Sequence, residues 1–149
     1  MKYSFIIISG LILCFTITNC YGQNVNIPDA NFKAYLVGNT DINTNGDSEI
    51  QVSEANAFSG SIYCGDLYNL DFSEDMSISD LTGIEEFTAL TGLECSGNQL
   101  TSLDVSMNTA LTGLSCAANQ LTSLDVSQNT ALTKLWCYGN QFNCVPFGN

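Results

Sequence analysis

Histidine and arginine are absent from this 149-residue chain, and only Lys2, Lys33 and Lys134 are basic. Without an imidazole, general acid–base work would fall to carboxylates, tyrosine or lysine. No carboxylate pair falls in a recognisable pocket pattern, so an enzyme is not expected. The shortage of cations excludes nucleic acid and anionic lipid surfaces, because both demand a basic footprint. Tryptophan occurs once, at position 136. No long apolar run follows residue 17, so the rest of the chain is not expected to enter a membrane.

What is plentiful is acid. Fifteen Asp and Glu residues give a formal charge of −12. That balance favours solubility outside the cell and would suit calcium or a basic partner, although most of these residues read simply as solvated surface. The first 22 residues explain the compartment. Lys2 supplies a small positive start, residues 5–17 are apolar, and Gly22 is a small residue at a cleavage point. Residues 1–22 therefore read as a secretory signal peptide, too short to serve as a membrane anchor. Cys20 admits a lipoprotein reading, but Asn19 is a poor residue ahead of a lipidated cysteine, and cleavage before Gln23 is expected.

Residues 90–142 repeat every 21 positions. Leu90-Thr-Gly-Leu93-Glu-Cys95-Ser-Gly-Asn98-Gln-Leu100 returns as Leu111-Thr-Gly-Leu114-Ser-Cys116-Ala-Ala-Asn119-Gln-Leu121, and again as Leu132-Thr-Lys-Leu135-Trp-Cys137-Tyr-Gly-Asn140-Gln-Phe142. Leu93 and Cys95 alternate with polar positions, the period of a half-buried strand. The asparagine recurs where the chain leaves the strand, and can bond backbone groups that the turn leaves unpaired. Leu100, Leu103 and Val105 then supply an apolar return side, repeated as Leu121, Leu124 and Val126. One coil cannot bury these faces alone, so neighbours must stack. This is the leucine-rich repeat pattern. The expected fold is an α/β solenoid: a short right-handed stack of coils with parallel strands on the concave face and a small helical N-terminal cap. The boundaries expected are signal peptide 1–22, cap 23–60, repeats 61–142 and tail 143–149.

The start of the stack has two registers. In the preferred one, Leu67-Tyr-Asn-Leu70-Asp-Phe72-Ser-Glu-Asp75 is a coil 23 residues before the clean repeats, with Ile62-Tyr-Cys64 as an entry strand. In the rival, Ile62 and Cys64 form the first rung and residues 68–76 are an insertion. After signal removal five cysteines remain, and Cys95, Cys116 and Cys137 occupy an inward strand position. They should pack as small hydrophobes in a ladder. Rungs ~4.8 Å apart leave a disulfide open, while the odd count leaves at least one thiol free.

The segment before the repeats reads as a short helix from Ile27 to Val37, with Pro28 and Asp29 suited to its start and Phe32 and Leu36 on its apolar face. The loop that follows is similar to an EF-hand loop counted from Asn43: Asn43, Asn45, Asp47 and Glu49 fall at ligand positions, Ile50 at the apolar position, and Glu54 at the bidentate one. It departs from the pattern in having Asn first and Ser48 where the sharp turn wants glycine. Two readings stand: a cap hiding the apolar end of the first coil, and a weak calcium site with affinity around ~10⁻⁴ to 10⁻³ M.

The cap together with the repeated Leu-Thr-Ser-Leu-Asp-Val-Ser-X-Asn-Thr-Ala-Leu of residues 100–111 and 121–132 resembles secreted bacterial leucine-rich repeat proteins of the internalin type. The resemblance covers residues 25–142 and implies a helical cap, a protein-binding concave sheet and a place outside the cell or on the bacterial surface. No sorting signal follows residue 142, so a freely secreted module or a truncated, non-binding paralogue is expected. On the concave face the third rung is distinctive: Lys134, Trp136 and Tyr138 look like interface anchors, joined by Glu94 and Ser115 on the preceding rungs. The bland alternative packs Trp136 and Tyr138 against Val145 and Phe147 of the tail. Stacked threonines (Thr91, Thr112, Thr133) also leave ice or glycan binding as a minor alternative. The expected partner is a protein.

Overall fold

A computed structural model describes residues 22–65 and 77–142 of the chain. The expected signal peptide (but for Gly22), the Leu67–Asp75 coil and the tail lie outside the described residues. Helix α1 spans Ala30–Gly38 and α2 spans Val52–Ala57. Four three-residue strands follow: β1 (Ser61–Tyr63), β2 (Gly92–Glu94), β3 (Gly113–Ser115) and β4 (Lys134–Trp136), with a 3₁₀ turn at Ile84–Glu86 between the first two. They form one parallel sheet in chain order, with Ile62, Leu93, Leu114 and Leu135 aligned across it. Among the described residues no helix is long and apolar enough to cross a membrane.

The strands are short for a definite reason. The N–H of each cysteine still donates across the sheet: Cys64 to Glu94 O, Cys95 to Ser115 O and Cys116 to Trp136 O, each at 2.8 Å. The cysteine carbonyls instead turn to asparagine. Asn98 Nδ2 donates to Cys64 O at 2.8 Å and Cys95 O at 3.1 Å, while its Oδ1 accepts from Ile78 N. Asn119 joins Cys95 and Cys116 in the same way and accepts from Leu100 N; Asn140 joins Cys116 and Cys137 and accepts from Leu121 N. Each amide thus pins two rungs and an earlier turn at once, satisfying backbone groups that would otherwise be buried unpaired.

This geometry corrects the preferred register. One edge of β2 is taken by β1 and the other by β3, so the rung before Leu93 is Ile62-Tyr63-Cys64. The apolar pattern fits Leu67–Asp75 as well as Ile62–Cys64, and the asparagine position does not separate them, being aspartate in one and leucine in the other; the pairing of Ile62 with Leu93 does. Cys64 therefore joins Cys95, Cys116 and Cys137 as a fourth register-matched cysteine, and all four are free thiols.

A second asparagine column lies on the return side. Asn108 Nδ2 donates to Ile84 O at 2.7 Å and Phe87 O at 3.0 Å; Asn129 repeats the pattern on Val105 O and Asn108 O. One continuous core runs from Phe32 and Leu36 of α1 through Ile62, Ile84 and Phe87 to Leu114 and Leu121. It thins at the end: Leu114 is fully buried, whereas its counterpart Leu135 is 41% exposed.

Two predictions follow from the stack. Replacing Asn119 with alanine leaves the buried Leu100 N–H without its acceptor and takes one of two amide donors from each of the Cys95 and Cys116 carbonyls, and should cost roughly 2–4 kcal/mol, while Asn140→Ala, at the half-buried end, should cost less. Urea midpoints of the two variants measure it; equal losses would mean the amides do not act through burial. The thiols supply the other test. Burial pushes Cys64 and Cys116 up to about 12 and lifts Cys95 well above its ordinary value. Iodoacetamide at pH 8 should spare these three and modify the half-buried Cys137 first, as read by peptide mass mapping.

Candidate functional site

Strand alternation and register decide what the concave face presents. Outward residues line up in rows across the sheet: Ser61, Gly92, Gly113 and Lys134 in one, and Tyr63, Glu94, Ser115 and Trp136 in the next. The first row has almost no side chain on its two middle strands, and a shallow groove of about 560 Å³ opens over it. Thr91, Thr112 and Thr133 form its rim. Aromatic rings stand at both ends of the second row. Tyr63 is 67% exposed and Trp136 45%, and Tyr138 beyond it is 61% exposed.

Four of the five expected contact residues are accessible there: Lys134, Trp136 and Tyr138 are exposed and Glu94 is half-buried. Ser115 requires a correction. It is 3% exposed, and its hydroxyl shares a 2.7 Å hydrogen bond with the fully buried Ser96. Two facing hydroxyls satisfy each other more cheaply than either could alone in a desolvated site, so Ser115 is floor and not anchor. Tyr63 went unrecognised because its strand was read as an entry segment. Its place two residues after Ser61, alternating with Ile62 and Cys64, is the signal that could have found it.

Glu94 is held in place. Its Oε1 accepts from Ser96 N at 2.9 Å, and its second oxygen has no partner among the described residues. The rim threonines are committed differently. Thr112 Oγ1 donates to Thr91 O and Thr133 Oγ1 to Thr112 O, both at 3.0 Å, so this column ties rung to rung.

The loop at residues 43–54 is closed on itself. Asn43 is buried, donating to Val37 O and Asp47 O and accepting from Gly46 N. Asn45 Oδ1 accepts from Asp47 N, and Asp47 takes donors from Glu49 N, Asn45 and Gln51. Glu54 Oε1 accepts from Thr44 N, Thr44 Oγ1 and Asn45 N, and its Oε2 from Gln51 N at the start of α2. Glu49 points elsewhere, with both oxygens 2.7 Å from Lys33 Nζ. The donors that surround Glu54 are N–H and O–H groups, which fit a carboxylate and not a cation, and no group of three acidic, cysteine or histidine residues is arranged for a metal among the described residues. As placed, Asn43, Asn45, Asp47, Glu49 and Glu54 all take hydrogen bonds from the chain itself.

Asp29 fastens this cap to the coils. Its Oδ1 accepts from Asn31 N and Phe32 N at the start of α1, and its Oδ2 accepts from Ser79 N and Oγ. Burial pushes its carboxyl up, but bonds from Phe32, Ser79 and Asn31 together outweigh it and hold the carboxyl below its ordinary 3.8. A depressed folded value means that its stabilising contribution is complete above 3.8 and is lost as pH falls through the folded value. Asp29→Asn should cost about 1 kcal/mol at neutral pH, with the gap to the native chain narrowing under acid. Thermal melts across pH 2–7 measure it; a constant gap would place the effect outside ionisation.

No family model and no curated protein matches the chain. Solved structures do. The functional domain of InlJ from Listeria monocytogenes, described as including a cysteine ladder, is 37% identical over 80% of this chain and 25% of that one, with a TM-score of 0.63. The internalin inlF from the same species is 20% identical over 80% of this chain and 32% of its own, with a TM-score of 0.59. The chain therefore spans a quarter of the first of these domains and about a third of the second.

Proposed function

We propose that this internalin-like leucine-rich repeat protein is a secreted bacterial recognition module that binds a protein partner through its concave sheet and carries out no catalysis. The observation behind this reading is the exposure of Tyr63, Trp136 and Tyr138 around a glycine-floored groove. Large rings left in water on a rigid scaffold cost solvation that a partner can recover, and aromatic anchors dominate binding energy in interfaces. Secretion is supported by the charged start and apolar run of residues 1–22. The absence of catalysis is supported by the groove's ionisable groups. Tyr63, Glu94 and Lys134 include no nucleophile paired with a base, and three thiols of the ladder are buried.

Size sets the strength. Four rungs at ~4.8 Å spacing give a face only ~15–20 Å long, near or below the ~800 Å² per partner of a standard interface. The contact is accordingly weak in single copies and gains from multivalency. In the cap, the residues 43–54 loop acts through its own hydrogen bonds and covers the first coil.

Immobilised secreted chain should capture a surface protein from neighbouring-cell extracts, and a Trp136→Ser, Tyr138→Ser double variant should lose at least tenfold of that capture. Chelating calcium should leave capture unchanged. Equal capture by both chains would move the interface off this face, and calcium-dependent capture would restore a metal role to the loop.

A further inference from the structure

We propose that the groove seats a basic side chain of the partner, a lysine or arginine whose cation meets Glu94 between Tyr63 and Trp136. This rests on the concave-face reading above. Three observations on different strands converge on it. Tyr63, Glu94, Ser115 and Trp136 form one row, so a single carboxylate lies between two exposed rings about 14 Å apart, three strand spacings. The row beside it has no side chain at Gly92 or Gly113; the Ser61 side chain leans over Gly92, while a Cβ added at Gly113 would meet nothing within 4 Å. That leaves room for the three- or four-carbon stem of a basic residue to lie along the sheet.

The carboxylate itself is prepared for a cation. One oxygen is anchored by Ser96 N, which orients the group without neutralising it, and the other has no partner among the described residues. Glu94 is half-buried on a floor whose serines satisfy each other, so its charge is screened less than one on open surface. Tyr63 stands one strand from Glu94 and Trp136 two, and an aromatic face turned to a cation attracts it while one turned to an anion does not.

Charge over the whole chain agrees. The formal charge is −12, Lys33 is spent on Glu49, and Lys134 lies in the glycine row two strands from Glu94. A basic partner is drawn toward the protein from a distance, and an acidic one is repelled.

Trp136 is the sole tryptophan, so its emission reports the groove directly. The full secreted chain is titrated with capped seven-residue glycine–serine peptides carrying two lysines, two arginines, two glutamates or two norleucines, at low and at moderate salt. Saturable change is expected with the lysine or arginine peptides alone, weakening at least fivefold from ~20 to ~300 mM salt. Glu94→Gln, which keeps the acceptor for Ser96 N, should weaken binding at least tenfold with its melting point unchanged. Gly113→Val should block the groove. Basic peptides that bind Glu94→Gln as tightly as the native chain would overturn the proposal, as would norleucine or glutamate peptides that bind as well as the basic ones. In either case the captured partner decides the parent reading: capture still lost in the Trp136→Ser, Tyr138→Ser variant keeps the concave face and discards only the cation. Capture indifferent to that variant and to Gly113→Val discards both.

Discussion

Everything in this molecule depends on an amide placed between two carbonyls. Asn98, Asn119 and Asn140 each take the carbonyl of one cysteine and that of the rung before it, and each returns an oxygen to a backbone N–H from an earlier turn. A side chain that donates twice and accepts once is needed, which among short residues means asparagine. Because the cysteine carbonyls are diverted, ladder pairing through them stops, and every strand is three residues long. The fold's short rungs are thus a consequence of its turns.

Short rungs in strict register shape the recognition surface in turn. With two outward positions per strand, four strands give a face of eight residues, and each row reads one sequence column, 31 residues from the first strand to the second and 21 thereafter. Glycine in one column and larger residues in the next are enough to make a groove. The threonine column beside it spends its hydroxyls on neighbouring carbonyls, so rigidity at the rim comes from the same rung-to-rung bonding. A preformed face of this kind loses little conformational freedom on binding, which partly offsets its small area.

The three clean repeats were legible because a period of 21 with leucine, cysteine and asparagine at fixed offsets has few physical alternatives. The first rung was not. Leu67–Asp75 satisfies the apolar pattern as well as Ile62–Cys64 does, neither has asparagine at the position of Asn98, and only the pairing across the sheet tells them apart. The return-side asparagines were equally visible at Asn108 and Asn129, yet nothing in spacing alone separates a buried amide from a solvated turn residue. The cap loop shows the converse problem. Oxygen-rich side chains at EF-hand spacing describe a calcium loop and a self-bonded turn equally well. Ser115 failed for a pairwise reason: its burial depends on Ser96, a residue 19 positions away.

The position of the anchors carries a final consequence. In a stacked array each rung is stabilised mainly by its neighbours, and the fourth described rung is the least covered of the four. Leu135 and Cys137 show this in their exposure, although their equivalents Leu114 and Cys116 are fully buried. Trp136 and Tyr138 stand on that same rung. A partner that grips them binds only the folded rung, and so stabilises the end of the stack by mass action as well as occupying it.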